Sequence, residues 1–419
     1  MSVSYSKRKT GIAFVGCGYV ADLYIATLEN WPDTLSLKGV FDIREDRAKA
    51  FCDHYDINRY QTFEEILADP EVEIVVNLTN PHAHYATTKA ALNAGKHVYT
   101  EKPIALDLKE ARELVDLAAA RGLQIVSAPS SVLGEAAQTM LTAVRDQILG
   151  KPQLVYAELD DGMIHRIGYE RWVTESGAQW PAEDEFRTGC TLEHAGYVLT
   201  WLVAMFGPVR RVVSFAHCLE TDKGPKTPPD YTTPDFSCAC LEFDGGVVAR
   251  MTNSIIAPHD HRFRIHCEHG HISVEETWDF VSPVRATPIP STVWRRTLLR
   301  YGLWDGSWSV PRTQKRKIKT TRRGYSMDFS LGIADMANAT SCGVPARLSG
   351  EFSLHITEVS LAIQHPDIYG VDYQPVTAPA RPLGMEYGYD AYENAGVPEP
   401  VAAPTSARIV SEVSTNKPV

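Results

Sequence analysis

Short apolar runs alternate with longer stretches of helical periodicity along the first third of the chain, and that alternation predicts a parallel sheet with helices on both faces. The first run spans residues 11–16 and passes through a glycine turn into helical character over 22–29. The second, 37–41, ends in Asp42 and is followed by helices over 48–55 and 63–68. The third, 73–78, ends in Thr79-Asn80-Pro81-His82-Ala83-His84, after which a helix over 85–93 is stopped by Gly95. The fourth, 96–99, runs into Glu101-Lys102-Pro103; a helix over 106–121 then leads to a fifth strand over 123–127. Strands spaced by helices this regularly call for right-handed crossovers, so a doubly wound first domain is expected over residues 1–128.

The period changes after residue 150. Residues 154–159, 209–218, 236–243, 247–253 and 263–266 carry strand patterns, mostly alternating as antiparallel strands do, with Asp244-Gly245-Gly246 as a hairpin turn. A second α/β domain is expected over 129–373, with amphipathic helices over 328–338 and 351–364. Beyond Tyr373, the Pro- and Ala-rich segment 374–419 has little to bury and is expected to lie extended on the surface or to stay disordered.

At 419 residues the chain is long for one core, which supports two domains. Its formal charge of -11 argues against wholesale nucleic-acid binding and favours small polar substrates. The longest apolar run, 195–206, is broken by Gly196 and Thr200 and reads as a buried helix, not a membrane span. A strand beginning at residue 11 leaves no room for a signal peptide, so a cytoplasmic location is expected. The eight cysteines are scattered without metal-site spacing; Cys238 and Cys240 share one strand face as packing residues, and no metal ligands are expected.

Chemistry concentrates at the strand ends. In Gly16-x-Gly18-x-x-Ala21, Gly16 permits a tight turn, Gly18 lets a pyrophosphate approach the backbone, and Ala21 lets helix and strand pack closely. The helix that opens behind it, through Tyr19 and Val20, turns its partial positive charge toward the phosphates. Asp42 stands where a carboxylate meets adenosine ribose hydroxyls and would repel a 2′-phosphate, so NAD is favoured over NADP. Arg44 and Arg47 either soften that preference or form a solvated helix start.

Taken with Asn80-Pro81-x-x-His84 and Ala94-Gly-Lys-His-Val-Tyr-Thr-Glu-Lys-Pro103, this motif resembles the Gfo/Idh/MocA family, the glucose–fructose oxidoreductase and inositol dehydrogenase group. The resemblance implies a Rossmann domain followed by an α/β domain on a large open, mainly antiparallel sheet, in which the helix over 351–364 packs back against the first domain. It implies an NAD(P)-dependent oxidoreductase that moves a hydride between a nicotinamide and a secondary alcohol of a sugar or cyclitol, C3 of a pyranose among the candidates. Lys102 would touch both nicotinamide and substrate hydroxyl, with Glu101 beside the nicotinamide and Asn80 and His84 along the cofactor. A homo-oligomer, dimer or tetramer, is implied as well.

The family's second site is a helix with an Asp-x-Gly-x-His-x-x-Asp pattern. In this sequence Glu193 stands for the first aspartate, Tyr197 for the histidine and Thr200 for the second aspartate, while His194 is one residue out of pattern on another helix face. Tyr197 makes sense as the acid/base group, since an adjacent Lys102 ammonium should lower its pKa from about 10. Glu193 lies one helical turn earlier on the same face. The segment from Arg171-Trp172 through Trp180 to Glu185-Phe186-Arg187 is either a substrate loop or a plain structural one. Residues 294–323 are strongly basic, with Trp294, Tyr301, Trp304 and Trp308 interleaved; they suit an anionic sugar, a neighbouring subunit, or solvent. Two other functions share these residues: an NAD-recycling glycosidase that oxidises C3 transiently, and a non-catalytic sugar or nucleotide sensor.

Overall fold

The computed structural model describes residues 8–303, 305–312 and 326–385. Strand and helix alternate in the first domain: β1 (Thr10–Val15), α1 (Tyr19–Leu28), β2 (Leu35–Phe41), α2 (Glu45–Tyr55), α3 (Phe63–Ala68), β3 (Ile74–Asn77), α4 (Pro81–Asn93), β4 (His97–Thr100), α5 (Leu108–Ala120) and β5 (Ile125–Ser127). The five strands pair in parallel in the order β2-β1-β3-β4-β5. Helices cover both faces, which is why Ile12, Ala13 and Phe14 on β1 and Ile74, Val75 and Val76 on β3 are all fully buried.

One boundary differs in a way that matters for the site. The helix expected from residue 85 begins at Pro81, because Asn80 caps it, its Oδ1 accepting the Ala83 N–H at 3.2 Å, and proline presets φ for the first helical position. That extension puts His84 inside the helix, facing the core.

The second domain comprises α6 (Glu135–Arg145), β6 (Pro152–Asp160), α7 (Ala182–Thr188), α8 (Cys190–Phe206), β7 (Val209–His217), β8 (Phe236–Phe243), β9 (Val248–Ser254), β10 (Phe263–Cys267), β11 (Gly270–Val274), β12 (Arg285–Pro288), α9 (Val293–Arg300), β13 (Trp308–Ser309), α10 (Leu331–Cys342), α11 (Gly350–Gln364), α12 (Pro366–Tyr369) and β14 (Asp372–Tyr373). Its nine strands run β13-β12-β11-β10-β6-β9-β8-β7-β14, antiparallel except for the parallel β6–β9 pair. Helices α6, α8 and α11 pack on one face. The other face carries Tyr156, Val213 and Phe215, all exposed.

Cys238 and Cys240 do share a strand face, but it is this outer one. Cys240 is exposed and Cys238 half-buried, while Ser237, Ala239 and Leu241 take the core side of β8. The packing role expected for the cysteines is therefore wrong: the alternation was read correctly and its phase was not.

After the sheet, the chain returns to the first domain. Ser330 Oγ donates to Tyr24 O at 2.9 Å, Trp31 Nε1 donates to Asp328 Oδ2 at 3.1 Å, and Arg112 Nη1 lies 3.1 Å from Glu351 Oε1. The Ser127 N–H donates to Ser353 Oγ at 3.0 Å. Helices α10 and α11 thus tie both domains together around the crevice. Within the basic stretch, α9 forms an exposed helix; Trp304, Lys315, Arg316, Lys317, Lys319, Arg322 and Arg323 lie outside the described residues. Past Tyr373 the described chain packs into the second domain, the buried Thr377 donating its N–H to Glu358 Oε2 at 3.0 Å and the Met385 N–H donating to Gln138 Oε1 at 2.7 Å; residues 386–419 lie outside the described residues. Among the described residues, no helix is long and apolar enough to cross a membrane.

Candidate active site

The carboxyl ends of β1 to β4 meet in one crevice. Gly16 adopts φ +102° there, and a Cβ on it would fall 2.5 Å from Leu78 O, so only glycine fits. Gly18, which caps α1 ahead of half-buried Tyr19 and Val20, is a different case: a Cβ would meet no protein atom within 4 Å. The chain's own packing does not demand glycine at that position, whereas close approach of a ligand to the backbone would. At the end of β2, Asp42 Oδ2 accepts the Cys17 N–H at 2.7 Å and Oδ1 accepts the Arg44 N–H at 2.8 Å, which locks the carboxylate beside the glycine turn. These residues fit a dinucleotide: a bare backbone turn and helix N-terminus for the pyrophosphate, a fixed carboxylate for a ribose.

Arg44 pairs in solvent with Asp46 at 2.7 Å, as a solvated helix start should. Arg47 does not. Its Nε donates to Cys17 O at 2.9 Å and its Nη2 to Ser176 Oγ at 2.7 Å, and Ser176 is held in turn by Asp22, whose Oδ2 accepts the serine hydroxyl at 2.7 Å. A loop of the second domain is thereby clamped over the first turn of α1.

Beyond β4, the Glu101 N–H donates to Asn77 O at 2.9 Å, and the Glu101 carboxylate accepts the Tyr24 hydroxyl at 2.7 Å and the Lys102 N–H at 3.1 Å. Asn80 is exposed at the crevice rim. His84, expected to line the cofactor, is fully buried, with Nδ1 2.7 Å from Pro103 O and Nε2 3.0 Å from Thr79 O. Both ring nitrogens face backbone carbonyls, and burial pushes the imidazole pKa down, so the neutral ring donates to one of the two. His84 is thus a positioning residue that ties the lysine-bearing turn to the end of β3, and the direct cofactor contact expected of it is not available in this geometry.

The second domain contributes α7 and α8, spliced at Gly189 (φ +94°). Gln364 bridges the splice, its Nε2 donating to Thr188 O at 2.7 Å and its Oε1 accepting the Leu192 N–H at 3.0 Å; a Cβ on Gly189 would sit 2.7 Å from that Oε1. The junction sets Glu185 of α7 against Glu193 of α8. Lys102 Nζ donates directly to Glu193 Oε2, joining the strand end of one domain to the helix of the other, with 18% and 5% of the two side chains exposed.

The charges on this cluster follow from those contacts. Burial would push the Lys102 pKa down, but the carboxylates of Glu193, Glu185 and Glu101 outweigh it and raise it above the ordinary lysine value. Burial pushes the Glu193 carboxyl up, yet the Lys102 ammonium and hydrogen bonds from Lys102 and Glu185 bring it below the usual range. Glu185 goes the other way: burial first, then the neighbouring Glu193 charge, drive it well above that range. Glu193 is accordingly the carboxylate of the pair, and Glu185 is the acid that donates to it.

Tyr197 follows on α8, packed on Trp278 with ring centroids 5.1 Å apart. Its pKa is raised, against expectation. The Lys102 ammonium does pull it down, but burial is the largest influence, and Glu101, Glu193 and Glu185 add to it. The adjacent cation is one contribution; burial and the surrounding carboxylates are the others. His194 does point elsewhere, as its offset predicts: Nδ1 lies 2.9 Å from Cys190 O and Nε2 3.4 Å from Asp161 Oδ2. Thr200 Oγ1 lies 3.3 Å from Ser131 Oγ.

The tryptophan-rich segment resolves toward structure. Trp172 packs edge-on against Trp180 at 5.1 Å, and Trp180 against Tyr169 and Phe186 at 5.5 and 5.8 Å, within a small satellite core. The aromatic faces that were candidates for a sugar platform are consumed by one another, while Arg171 is exposed and folds back over Gly168. What the segment brings to the site is Glu185, quoted in the sequence only as part of a polar loop. Its signal was faint, because an acid is recognised as unusual only when its neighbours are known.

Comparison with known proteins agrees with this architecture. Residues 10–128 match the family described as "Oxidoreductase family, NAD-binding Rossmann fold", and residues 137–273 match "GFO/IDH/MocA C-terminal domain". Similar proteins include an inositol 2-dehydrogenase/D-chiro-inositol 3-dehydrogenase of Lactiplantibacillus plantarum, 28% identical over 35% of this chain and 43% of its own length. A trans-1,2-dihydrobenzene-1,2-diol dehydrogenase of Macaca fuscata fuscata is 29% identical over 39% of this chain and 50% of its own. The chain spans about half the length of the curated relatives it matches. Among solved structures, a levoglucosan dehydrogenase in complex with NADH and levoglucosan has the same fold, with TM-score 0.68 and 17% identity over 88% of this chain and 99% of that one.

Proposed function

The chain belongs to the Gfo/Idh/MocA oxidoreductase family, and from that premise we propose that it transfers a hydride between a nicotinamide cofactor, NAD in preference to NADP, and a secondary alcohol or ketone of a sugar or cyclitol. One observation carries the reading: the Lys102 to Glu193 ion pair closes the crevice between the domains, with Tyr197 one helical turn further along the same helix. The turn at Gly16 and Gly18 would hold the pyrophosphate and Asp42 the adenosine ribose. When bound, the nicotinamide supplies the acceptor for the hydride that leaves the carbinol carbon.

The protein's own task is the hydroxyl proton. Lys102 and Tyr197 both rest protonated, so neither can take that proton unaided. Glu193 is the ionised group, already in contact with Lys102. As the substrate O–H bond breaks, its proton passes to Lys102 Nζ while a lysine proton passes to Glu193; on reduction the same path runs backward and the alcohol oxygen is protonated. Tyr197 donates a hydrogen bond to the substrate oxygen and holds it in line. The named relatives are dehydrogenases of inositols and of a trans-1,2-dihydrobenzene-1,2-diol, so vicinal hydroxyls on a six-membered ring are the substrate class to test first, with C3 of a pyranose among the positions. The exposed outer face of the nine-stranded sheet is the surface we propose for self-association.

The test is NADH formation in single turnover across a panel of inositols and pyranoses, for Lys102→Ala, Tyr197→Phe and the double variant at saturating NAD. Each single loss should be on the order of a hundredfold to ten-thousandfold, and the double loss far smaller than their product. Near-normal turnover in Lys102→Ala would sink the proposal.

A further inference from the structure

Across Trp278 from Tyr197 lies a second cluster, and its chemistry is that of a cation site. Asp161 follows the last residue of β6, His259 and His261 precede β10, and one ligand-type atom from each lies within 4.8 Å of the others. The His194 ring stacks on Trp278 with centroids 5.9 Å apart, His261 approaches it at 4.4 Å, and Tyr197 lies on the same indole at 5.1 Å.

The tautomers decide what this cluster can bind. An imidazole nitrogen hydrogen-bonded to an acceptor carries the proton, so the opposite nitrogen of the neutral ring carries the lone pair. His261 Nδ1 lies 2.8 Å from Glu276 Oε1, and His259 Nε2 lies 2.8 Å from Glu276 Oε2. One carboxylate therefore orients two histidines and leaves His261 Nε2 and His259 Nδ1 as donors of electron pairs. His261 is 1% exposed, and its Nε2 has no hydrogen-bond partner among the described residues, although it sits 3.9 Å from Asp161 Oδ1. His194, its Nδ1 on the Cys190 carbonyl, turns its own Nε2 to within 3.4 Å of Asp161 Oδ2. Lone pairs thus converge on a carboxylate with no donor between them among the described residues, and a buried nitrogen left so carries a desolvation penalty that a cation would remove.

We propose that Asp161, His259 and His261 bind a divalent first-row transition cation, Zn²⁺ being the first choice, with Glu276 as the outer carboxylate that fixes both rings. Two imidazoles and one carboxylate form the donor set of such ions, and a carboxylate behind a ligating histidine is its usual support. Bonds of about 2.1 Å put tetrahedral donors roughly 3.4 Å apart, a few tenths of an ångström closer than the 3.9 Å between His261 and Asp161. His259, 43% exposed along its side chain, has the freedom to close the remainder. Three protein ligands leave coordination positions open, and oxygen donors fill them: a vicinal pair of hydroxyls or a carboxylate on the sugar. Binding of the cation is independent of the hydride-transfer reading; only the identification of its oxygen ligand with the substrate rests on that reading.

The experiment uses tag-free, full-length protein stripped with a chelator and titrated with Zn²⁺ alone, followed by calorimetry and by metal analysis after gel filtration. One equivalent should be retained, and Co²⁺ in its place should give the visible absorption of a low-symmetry site. Asp161→Asn, nearly isosteric, should weaken binding at least a hundredfold, His261→Gln similarly, and Glu276→Gln by ten- to a hundredfold although it touches no metal. Circular dichroism of each variant keeps a folding defect separate from a lost ligand. Wild-type protein that binds no more Zn²⁺ than Asp161→Asn does would overturn the site, even if NADH formation proceeds as proposed. Zn²⁺ retention with no effect on the apparent affinity for sugar would leave the cation and remove the oxygen ligand assigned to it.

Discussion

Glu193→Gln removes the charge that keeps Lys102 an ammonium within the protein. Burial alone works against that ammonium, and Glu193 is first among the carboxylates that reverse the balance. Two unit charges about 4 Å apart at an effective dielectric of about 20 attract by about 4 kcal/mol. At about 1.4 kcal/mol per factor of ten, losing the pair lowers the proton affinity of Lys102 by roughly a thousandfold. Glu185 returns part of this, because without an anionic neighbour it becomes the more acidic of the two positions and ionises in its place. A net loss of roughly a hundredfold is the expected outcome. The sign follows directly: in the wild type the ammonium persists above the ordinary lysine range, and in the variant its proton leaves at lower pH. Protein labelled with ¹³C at lysine Cε reports this by NMR titration, with the Lys102 signal assigned from Lys102→Arg. Superimposable Lys102 titrations in wild type and Glu193→Gln would refute the charge argument, and with it the proton route from substrate to Glu193. The double variant Glu193→Gln, Glu185→Gln should shift the titration further than Glu193→Gln alone, since nothing is then left to ionise in compensation.

Two further outcomes follow from the same geometry. Asp42→Ala should narrow the gap between the dissociation constants for NAD and NADP, measured by fluorescence titration, because the carboxylate fixed by Cys17 and Arg44 is what repels a 2′-phosphate; NADP binding as tightly as NAD in the unmodified protein would defeat that reasoning. Trp172→Ala should cost about 2 kcal/mol in urea unfolding, roughly half the loss for a fully buried tryptophan, since its ring is half-buried against Trp180; an unchanged midpoint together with weakened sugar affinity would restore the segment as a substrate loop.

The parallel sheet was legible because strands covered on both faces must be apolar throughout and must end where the covering ends, so the polar residues at those ends announced the crevice. The same rule singles out Gly16, Asp42 and Lys102, and the structure brings each to the mouth of the sheet. His84 was misjudged by the same rule. Asn80-Pro81 looked like the tail of a strand end, but together they are a cap and a first helical residue, and once the helix starts there His84 faces inward. Local chemistry decided the boundary, and the boundary decided the role.

The acidic half of the site was not legible, for a different reason. Glu185, Asp161 and Glu276 lie on three separate segments, and nothing in the sequence near any of them marks an unusual carboxyl. Their properties come from partners on other segments: Glu193 for Glu185, His194 for Asp161, His259 and His261 for Glu276. Only His259-Asp260-His261 offered a local sign, since residues two apart in extended chain face the same way, but a His-x-His pair acquires chemical meaning only when a third ligand comes from elsewhere. The error over Tyr197 has this same origin. Its one cationic neighbour was predictable from a family pattern, while its burial, the largest influence, and the carboxylates of Glu101, Glu193 and Glu185 that add to it come together only in the folded chain. A pKa sums over everything nearby, so a motif that names one neighbour gives the sign of one contribution and not the sign of the total.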